Sequence, residues 1–401
     1  MLKRLLLKLE DPARPLLGPN LKALRFFGVV LGDNRHDKCV RLVLYSLTFI
    51  IAFTEWRDIW VNRQNLDELL ENLSKSLCSS ITLLKLLSMY IWKSDWVKII
   101  NYVNRTDIEQ RKSTDPYNVR YIKRFTGYSR KLTYIYWTFA TFTGLNNILQ
   151  PYIKYIAMPD YRHNVNNGTV AGMEIIRSWV PWNKNNFKGY IALLLFETLY
   201  VPVGAGFVLA IDTFTIVVMN FFHLELELLR NDSRNIFGTV NETVDEAESR
   251  RRIKECHSRF TDLLKYSRMY NSCVSPVLLI YVFSCTIMLC AISVQIKEVE
   301  GVVNYLLIAE YLVFAVIQLF MYCWHSNEVL FASKELMQGP YESRWWCANA
   351  SFQRQVCLLM HMFHTPIVFT VGPFTELTLA TFIDILKGAY SYYTILTQAK
   401  N

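Results

Sequence analysis

Seven long apolar stretches constrain the fold of this chain more than any other feature. They lie at residues 39–56, 69–92, 132–153, 189–222, 270–294, 304–324 and 374–396. A membrane helix needs about 20 mostly apolar residues, so each stretch has roughly the length that crosses a bilayer. Charged residues make up 19% of the chain, against about 25% in ordinary soluble proteins. The sequence therefore predicts an all-α, polytopic membrane protein with seven transmembrane helices.

The lysines and arginines of the loops predict the orientation of these helices, because cytoplasmic loops collect them. The segments 1–38, 93–131, 223–269 and 325–355 hold 30 of these residues, whereas the alternating loops and the tail hold nine. We therefore expect a cytoplasmic N-terminus and an extracellular C-terminus. This topology is inverted relative to a G-protein-coupled receptor, which makes a metabotropic seven-span receptor the less favoured class. The topology also accounts for most of the net charge of +9, so we expect no nucleic-acid partner.

Catalytic chemistry is not indicated by any motif in the sequence. The chain contains no phosphate-binding glycine loop, no nucleophile elbow and no zinc-protease helix signature. His361 and His364 share a helical face, but no acidic or cysteine residue accompanies them, which favours interfacial packing over metal binding. We expect a protein that is not an enzyme and that uses neither a cofactor nor a metal.

Charged residues in the middle of the predicted spans are expected to need partners. A charge at the bilayer centre costs about 2.5–3.5 kcal/mol on insertion scales. Structural pairing and a direct role in permeation or ligand binding both remain open for them, and Asp384 and Lys387 have the spacing to pair with each other. Arg41 and Lys75 lie near span ends, where their side chains are predicted to extend toward the interface. The mid-span set is Lys85, Glu197, Asp212, Glu310, Asp384 and Lys387.

The last span carries a continuous stripe of small or polar residues at alternating steps of three and four. Lipid is an unfavourable neighbour for such a stripe, so it faces either other helices or water. If several copies surround an axis, the polar members line a conduit, and an apolar ring of Ile395 closes it by dewetting. The stripe consists of Thr381, Asp384, Gly388, Ser391, Ile395 and Gln398.

Four motifs in the C-terminal part of the chain carry a resemblance to a known family. They are CWHSNEV at 323–329, YESRW at 341–345, PIVFT at 366–370 and LKGAYSYYTIL at 386–396. These segments resemble the conserved C-terminal region of insect odorant receptors. Ser391-Tyr392 followed by five residues and Gln398 also resembles the ending of gustatory receptors from the same superfamily, which stands as the alternative. The short loop at 223–269 resembles that of an odour-tuning subunit rather than that of the longer co-receptor.

The resemblance implies an odorant-gated, non-selective cation channel with four subunits around one pore. It implies assembly of this chain with odorant receptor co-receptor subunits, a small volatile organic ligand and a plasma-membrane location in sensory dendrites. It also implies an organisation into four parts. These are a cytoplasmic N-terminal segment at 1–38, six spans with the ligand pocket in their outer half at 39–324, a cytoplasmic helical anchor at 325–373, and a pore-lining last helix with a short extracellular tail at 374–401.

Two sets of residues are the candidate sites. Near the outer end of the third span, Thr141, Gly144 and Ile148 fit the pocket-facing spacing of the family, although Gly144 also fits close helix packing. Outer-half aromatic and aliphatic residues on other spans complete a mainly apolar lining, and each of them also fits plain helix packing. The candidate ligand-binding residues are Ile81, Thr141, Gly144, Ile148, Phe196, Tyr200, Tyr305, Ile308 and Tyr311. The candidate pore residues are Ser391, Ile395 and Gln398.

Subunit contacts are expected in the inner segment 325–366. This segment is predicted to lie outside lipid but is rich in large apolar side chains, and an exposed apolar patch usually marks an interface. The residues concerned are Trp345, Trp346, Phe352, Leu358, Leu359 and Phe363.

Overall fold

A computed structural model of the protein describes residues 10–29, 35–61, 63–64, 66–184, 186–238, 244–298 and 301–400. Within these ranges the chain is almost entirely helical, so the all-α prediction is confirmed. The longer helices are α1 (Gly18–Phe26), α2 (Arg35–Val61), α3 (Leu66–Ile91), α4 (Lys93–Gln110), α5 (Pro116–Ala157), α6 (Pro159–Asn166), α7 (Phe187–Arg234), α8 (Glu246–Glu298) and α9 (Val302–Glu335). They are followed by α10 (Gln338–Glu342), a 3₁₀ turn (Trp345–Cys347), α11 (Ala350–Phe363), the strands β1 (Thr370–Val371) and β2 (Thr375–Glu376), and α12 (Leu379–Lys400).

Each predicted span lies in or overlaps a long helix, namely α2, α3, α5, α7, α8, α9 or α12. Among the described residues, four segments have both the length and the apolar composition to cross a membrane. They are Asp37–Val61, Phe187–Arg234, Glu246–Ile296 and Tyr305–Cys347. The other predicted spans lie in α3, α5 and α12, which carry more polar residues. In α3, for example, Lys85 is buried inside the bundle.

Helix α7 forms the centre of the bundle. It has 48 residues, whereas a bilayer crossing needs about 20. All its residues from 210 to 222 are buried, as expected for a largely apolar helix surrounded by others. The N-terminal segment packs against it. A Cβ at Gly206 would collide with Cε1 of Phe27, so glycine allows this close approach.

Local sequence sets the beginning of α5. The side chain of Asp115 accepts a hydrogen bond from the backbone N–H of Tyr117 at 2.9 Å, and Pro116 occupies the first helical position. Both choices stabilise a helix start, because the carboxylate satisfies a free N–H and proline has none to satisfy. Helix α5 has 42 residues, and its outer half contributes to the site described below.

The C-terminal boundaries differ from the prediction. The apolar run 356–371 is not one helix, because α11 ends at Phe363, and the last helix begins at Leu379 rather than at 374. The intervening residues form the β1–β2 hairpin, whose turn uses Gly372 at φ +60°, a conformation that favours glycine. The hairpin is tied to α8, because the amide of Asn271 both donates to and accepts from Thr370, at 3.1 and 2.9 Å.

The predicted contact residues, which lie in α11 and in the 3₁₀ turn before it, form a buried group and an exposed group, and Trp345 is half-buried, between the two groups in exposure. Phe352, Leu359 and Phe363 are buried within the subunit, and the Phe363 ring packs on Phe260 with centroids 4.9 Å apart. Leu358 is 69% exposed and Trp346 is 59% exposed. The unpaired apolar surface of this segment therefore consists of the second group.

Candidate functional site

A cavity of about 580 Å³ lies between α3, α5, α7 and α9, with a contribution from the end of α8. The lining residues occupy the helix ends that the loop charges predict to be extracellular. One end of the cavity, here called the floor, is formed by small and apolar residues. They are Ala140, Gly144, Ala205, Val208, Leu209 and Phe314. The other end, here called the rim, contains all the amide and cationic side chains of the lining. They are Lys75, Asn147, Gln150, Lys154, Arg177 and Gln295.

The loop between α6 and α7 closes the rim, and Met173, Ile175, Ile176 and Arg177 of this loop line the cavity. Two side chains of α7 fix its backbone. The hydroxyl of Tyr190 donates to the carbonyl of Met173 at 3.0 Å, and the N–H of Ile175 donates to Glu197 Oε2 at 2.9 Å. These two hydrogen bonds hold the loop in place as one wall of the cavity.

An ion pair fixes the part of this loop that follows the lining residues. Nζ of Lys184 lies 2.8 Å from Glu174 Oε1 and 3.8 Å from Asp58 Oδ1 of α2. Burial raises the pKa of the Glu174 carboxyl, and the nearby Lys184 opposes this shift. The pair ties the loop to the outer end of α2.

Four of the nine predicted ligand-binding residues line this one cavity. They are Gly144 of α5, Tyr200 of α7, and Ile308 and Tyr311 of α9. A Cβ built on Gly144 meets nothing within 4 Å, so close helix packing does not require glycine at this position. The glycine instead leaves space at the floor.

The other five predicted residues lie outside the lining. Ile81 is buried in the main core, and Ile148 packs in a small cluster beneath the loop. Thr141, Phe196 and Tyr305 are exposed on the outside of the bundle. The role of all nine residues in ligand binding stays a prediction.

Several lining residues were missed in the sequence. Ala140, Asn147, Gln150 and Lys154 of α5 are spaced with the predicted Gly144 at steps of three and four, and this small-to-polar stripe is a signal that was available. The loop residues carried no such signal, because a loop has no periodicity to read.

Lys75 was expected to extend toward the interface. Instead it lines the cavity, and its Nζ donates to the carbonyl of Ile175 at 3.3 Å. The closing loop offers this lysine a polar partner inside the bundle, which the distance from the span end alone did not reveal.

A buried polar cluster, here called the hub, lies one helical turn below the floor. Lys85 and Asp212 form an ion pair of 2.5 Å with 4% and 0% of their side chains exposed. The hydroxyls of Tyr136 and Tyr322 donate to Asp212 at 3.1 and 2.8 Å, and the amide of Gln318 also donates to it. The hub thus joins α3, α5, α7 and α9 through one carboxylate.

The expectation that mid-span charges have inward partners is confirmed for Lys85 and Asp212, and Glu310 follows the same rule. Glu310 accepts hydrogen bonds from Thr143 Oγ1 and from Asn146 Nδ2, both at 2.8 Å. Both donors belong to α5. The carboxylate therefore links α9 to α5 beside the cavity.

The last helix presents the predicted pore residues on its free side. Helix α12 packs on α8 and α9 with Ile385 and Ala389 buried, whereas Ser391, Ile395 and Gln398 are exposed. Ile395 is 59% exposed. The stripe is thus available for contact with water or with further subunits.

Asp384 and Lys387 are also exposed on α12, with Oδ1 and Nζ 4.0 Å apart, in agreement with the predicted pair. Metal-binding clusters of three or more His, Cys, Asp or Glu do not occur among the described residues.

The fold and the cavity define the class of protein as a polytopic helical membrane protein with a ligand-sized cavity. The model of the 7tm Odorant receptor family matches residues 65–390, and the chain belongs to this family. The resemblance seen in the C-terminal motifs is confirmed. The relatives are receptors, so the expectation that the chain is not an enzyme is confirmed as well.

Curated relatives and a solved structure extend this likeness over the chain. Odorant receptor 30a of Drosophila melanogaster is 20% identical over 97% of this chain and 98% of its own length. Odorant receptor 10 of Aedes albopictus is 27% identical over 35% of this chain, a match that spans 37% of that protein. The insect olfactory receptor OR5 from Machilis hrabei, solved in complex with eugenol, has a TM-score of 0.83 at 13% identity. It covers 97% of this chain and 100% of the OR5 chain. This last likeness establishes the fold.

Proposed function

We propose that this receptor is an odour-tuning subunit of an odorant-gated, non-selective cation channel. The observation that carries the proposal is the cavity of about 580 Å³ in the half of the bundle predicted to be extracellular. Its volume lies within the range of about 300–1,000 Å³ that is typical of small-molecule sites. A small volatile organic molecule binds there, and its binding opens a pore formed by α12 from each subunit.

The proposed assembly is a heterotetramer with odorant receptor co-receptor subunits. The stripe of one α12 helix is too narrow to enclose a conduit, so the proposed pore requires several copies of α12 around an axis. The exposed side of α12 leaves surface for neighbouring subunits, and so do Leu358 of α11 and Trp346 of the 3₁₀ turn. The 48-residue α7 and 53-residue α8 extend well beyond the length needed to cross the bilayer, in keeping with an inner anchor.

Recordings with and without a co-receptor test this function. Cells that express the chain together with a co-receptor should give an odorant-evoked cation current from a panel of volatile compounds, and cells that express the co-receptor alone should not give the same ligand profile. A full response without any co-receptor would favour the gustatory-type alternative. Silence across the panel, from complexes shown to contain this chain at the surface, would contradict the proposal.

The proposed location is the plasma membrane of sensory dendrites, with the N-terminus inside and the C-terminus outside. The excess of lysine and arginine in alternating loops supports this orientation. Terminal tags on unpermeabilised cells test it, since only the C-terminal tag should be stained. Staining of the N-terminal tag alone would instead support a metabotropic seven-span receptor.

Replacing Ile395 with serine is expected to raise the current that flows without odorant. An apolar ring excludes a partly dehydrated cation, and a hydroxyl lowers that barrier. Ile383→Ser is the matched control, because Ile383 is 49% exposed on the same helix but lies outside the stripe. Basal current is normalised to surface protein. Replacements of Gln398 should change relative cation permeabilities, measured from reversal potentials, more than apparent odorant affinity.

Equal leak from the wild type, Ile395→Ser and Ile383→Ser would remove Ile395 from the pore. The other subunits contribute their own residues at this level, so the complexes must be shown to contain the variant chain. Unchanged permeability in Gln398 variants would remove that residue in the same way.

Replacing Leu358 with serine is expected to weaken assembly and leave the subunit folded. Leu358 is exposed on α11, and hot-spot truncation at an interface typically costs about 2 kcal/mol or more. Phe363→Ser serves as the contrast, because it removes a buried ring and should lower the stability of the subunit itself. Co-purification with the co-receptor and the amount of inserted chain are both measured. Normal recovery of the complex with Leu358→Ser would exclude this face from the interface.

A further inference from the structure

One hydrogen-bond donor of the rim lacks a partner within the described part of the chain. Nε2 of Gln295, at the outer end of α8, is shielded from solvent and has no hydrogen-bond partner among the described residues. Gln295 lines the cavity. A buried donor without a partner costs free energy comparable to a lost hydrogen bond, so such a group is normally met by water or by a ligand.

The rim as a whole favours a ligand that accepts hydrogen bonds over a ligand that donates them. Among the described lining residues, none is an aspartate or glutamate, whereas three carry a positive charge. The carboxylates that contact the lining each already accept a hydrogen bond from the protein: Glu55 from Ser79, Glu197 from the N–H of Ile175, and Glu310 from Thr143 and Asn146. A ligand that carries an ammonium group meets like charge at this end and finds no free anionic partner in the lining.

The cavity is also amphipathic along its length. On α5 the small residues Ala140 and Gly144 precede Asn147 and Lys154, so the lining changes from apolar to polar in the outward direction. A ligand with an apolar body and one polar atom at its end matches this gradient. Its body fills the floor, and its polar atom lies at the rim.

We propose that the cavity selects small apolar molecules that end in an oxygen acceptor, such as ketones, esters and aldehydes, and that Gln295 Nε2 donates the hydrogen bond that recognises the oxygen. This inference rests on the proposed function, because it names the ligand class of the same cavity. Gln295 is a specificity-determining residue in this arrangement. Its loss removes the preference for the oxygen and leaves the apolar contacts in place.

Binding measured on the purified complex in lipid nanodiscs tests the ligand class independently of channel current. The probes are methyl ketones and methyl esters of increasing chain length, each compared with the alkane and the primary amine of matched skeleton, at neutral pH. In the wild type, the best ketone or ester should bind roughly tenfold more tightly than its alkane and its amine, as expected for one satisfied buried donor.

Gln295→Met keeps the length of the side chain and removes the donor. It should abolish the roughly tenfold advantage of the ketone and leave the affinity for the alkane unchanged. Gln355→Met makes the same change on α11, which contributes no lining residue, and should have no effect. If Gln295→Met fails to express, Gln295→Leu provides a second variant without the donor.

Three outcomes overturn the inference. They are an amine or alkane that binds the wild type as tightly as its ketone, a ketone advantage that survives in the Gln295 variants, and failure of every ketone and ester in the series to bind. The current recordings under Proposed function are scored separately. A complex that binds ketones through Gln295 but passes no current would therefore disprove the channel proposal and leave this assignment intact.

Discussion

Replacing Lys85 with methionine is expected to remove most of the folded receptor from the membrane. The change leaves Asp212 as a buried carboxylate without its cation, and breaking a buried pair in this way costs about 3–5 kcal/mol. Two tyrosines and a glutamine still donate to Asp212, but they do not neutralise its charge. Surface expression and thermal unfolding of the detergent-solubilised chain measure the effect.

Two further variants show whether the charge is responsible. Lys85→Met combined with Asp212→Asn removes both charges and retains a side-chain oxygen for the tyrosines, so it should recover part of the lost stability. Lys387→Met is the control, because its pair with Asp384 is exposed and an exposed pair contributes only about 0–1 kcal/mol. Equal losses for Lys85→Met and Lys387→Met would show that the hub pair does not stabilise the fold.

The long helices could be predicted from the sequence, whereas the partners within the hub could not. Each predicted span is an apolar run whose length matches a bilayer, and hydrogen bonding in lipid leaves the helix as the available structure for such a run. The charges at Lys85 and Asp212 marked positions that need partners. The sequence did not show that they pair with each other across 127 residues, because that requires the packing of α3 against α7.

Boundaries that depend on tertiary contacts were not predictable in the same way. Apolar residues continue from Val356 to Val371, and this run alone indicates a single helix. The helix ends at Phe363, where Pro366 disfavours the helical conformation of the residue before it, and the later residues form a hairpin that is tied to Asn271 of α8 through Thr370. These partners are about 100 residues away in sequence, so local propensity carries no information about them.

Only part of the cavity lining could be predicted, because the sequence does not give the rotation of each helix about its axis. Outer-half position and residue type identified Tyr200, Ile308 and Tyr311, and the pocket-facing spacing of the family identified Gly144; all four line the cavity. The same spacing also selected Thr141, which is exposed, while Thr143 two residues later is buried beside Glu310. The rotation of the helix about its axis decides which of two neighbouring residues faces the inside of the bundle, and helix packing sets this rotation. The α5 stripe of small and polar residues encodes that rotation more reliably than an isolated spacing.

Replacing Gly144 with leucine is expected to reduce odorant sensitivity strongly while the receptor still reaches the surface. The glycine borders open space, so the added side chain enters the cavity instead of colliding with a neighbouring helix. Overfilling a packed site costs about 1–3 kcal/mol, which corresponds to roughly 5- to 150-fold in affinity. The half-maximal odorant concentration, with current normalised to surface protein, measures the effect.

The same helix offers a matched control for this prediction. A Cβ on Gly127 also meets nothing within 4 Å, but Gly127 lies at the inner end of α5 and does not line the cavity. Gly127→Leu therefore makes the same gain in side-chain volume and helix propensity, and it should leave odorant sensitivity unchanged. If Gly144→Leu lowers expression in step with the response, helix packing explains the glycine. If it expresses normally and responds like the wild type, ligands bind elsewhere. A selective loss for Gly144→Leu places the odorant at the floor of the cavity, one helical turn above the hub that joins four helices of the bundle.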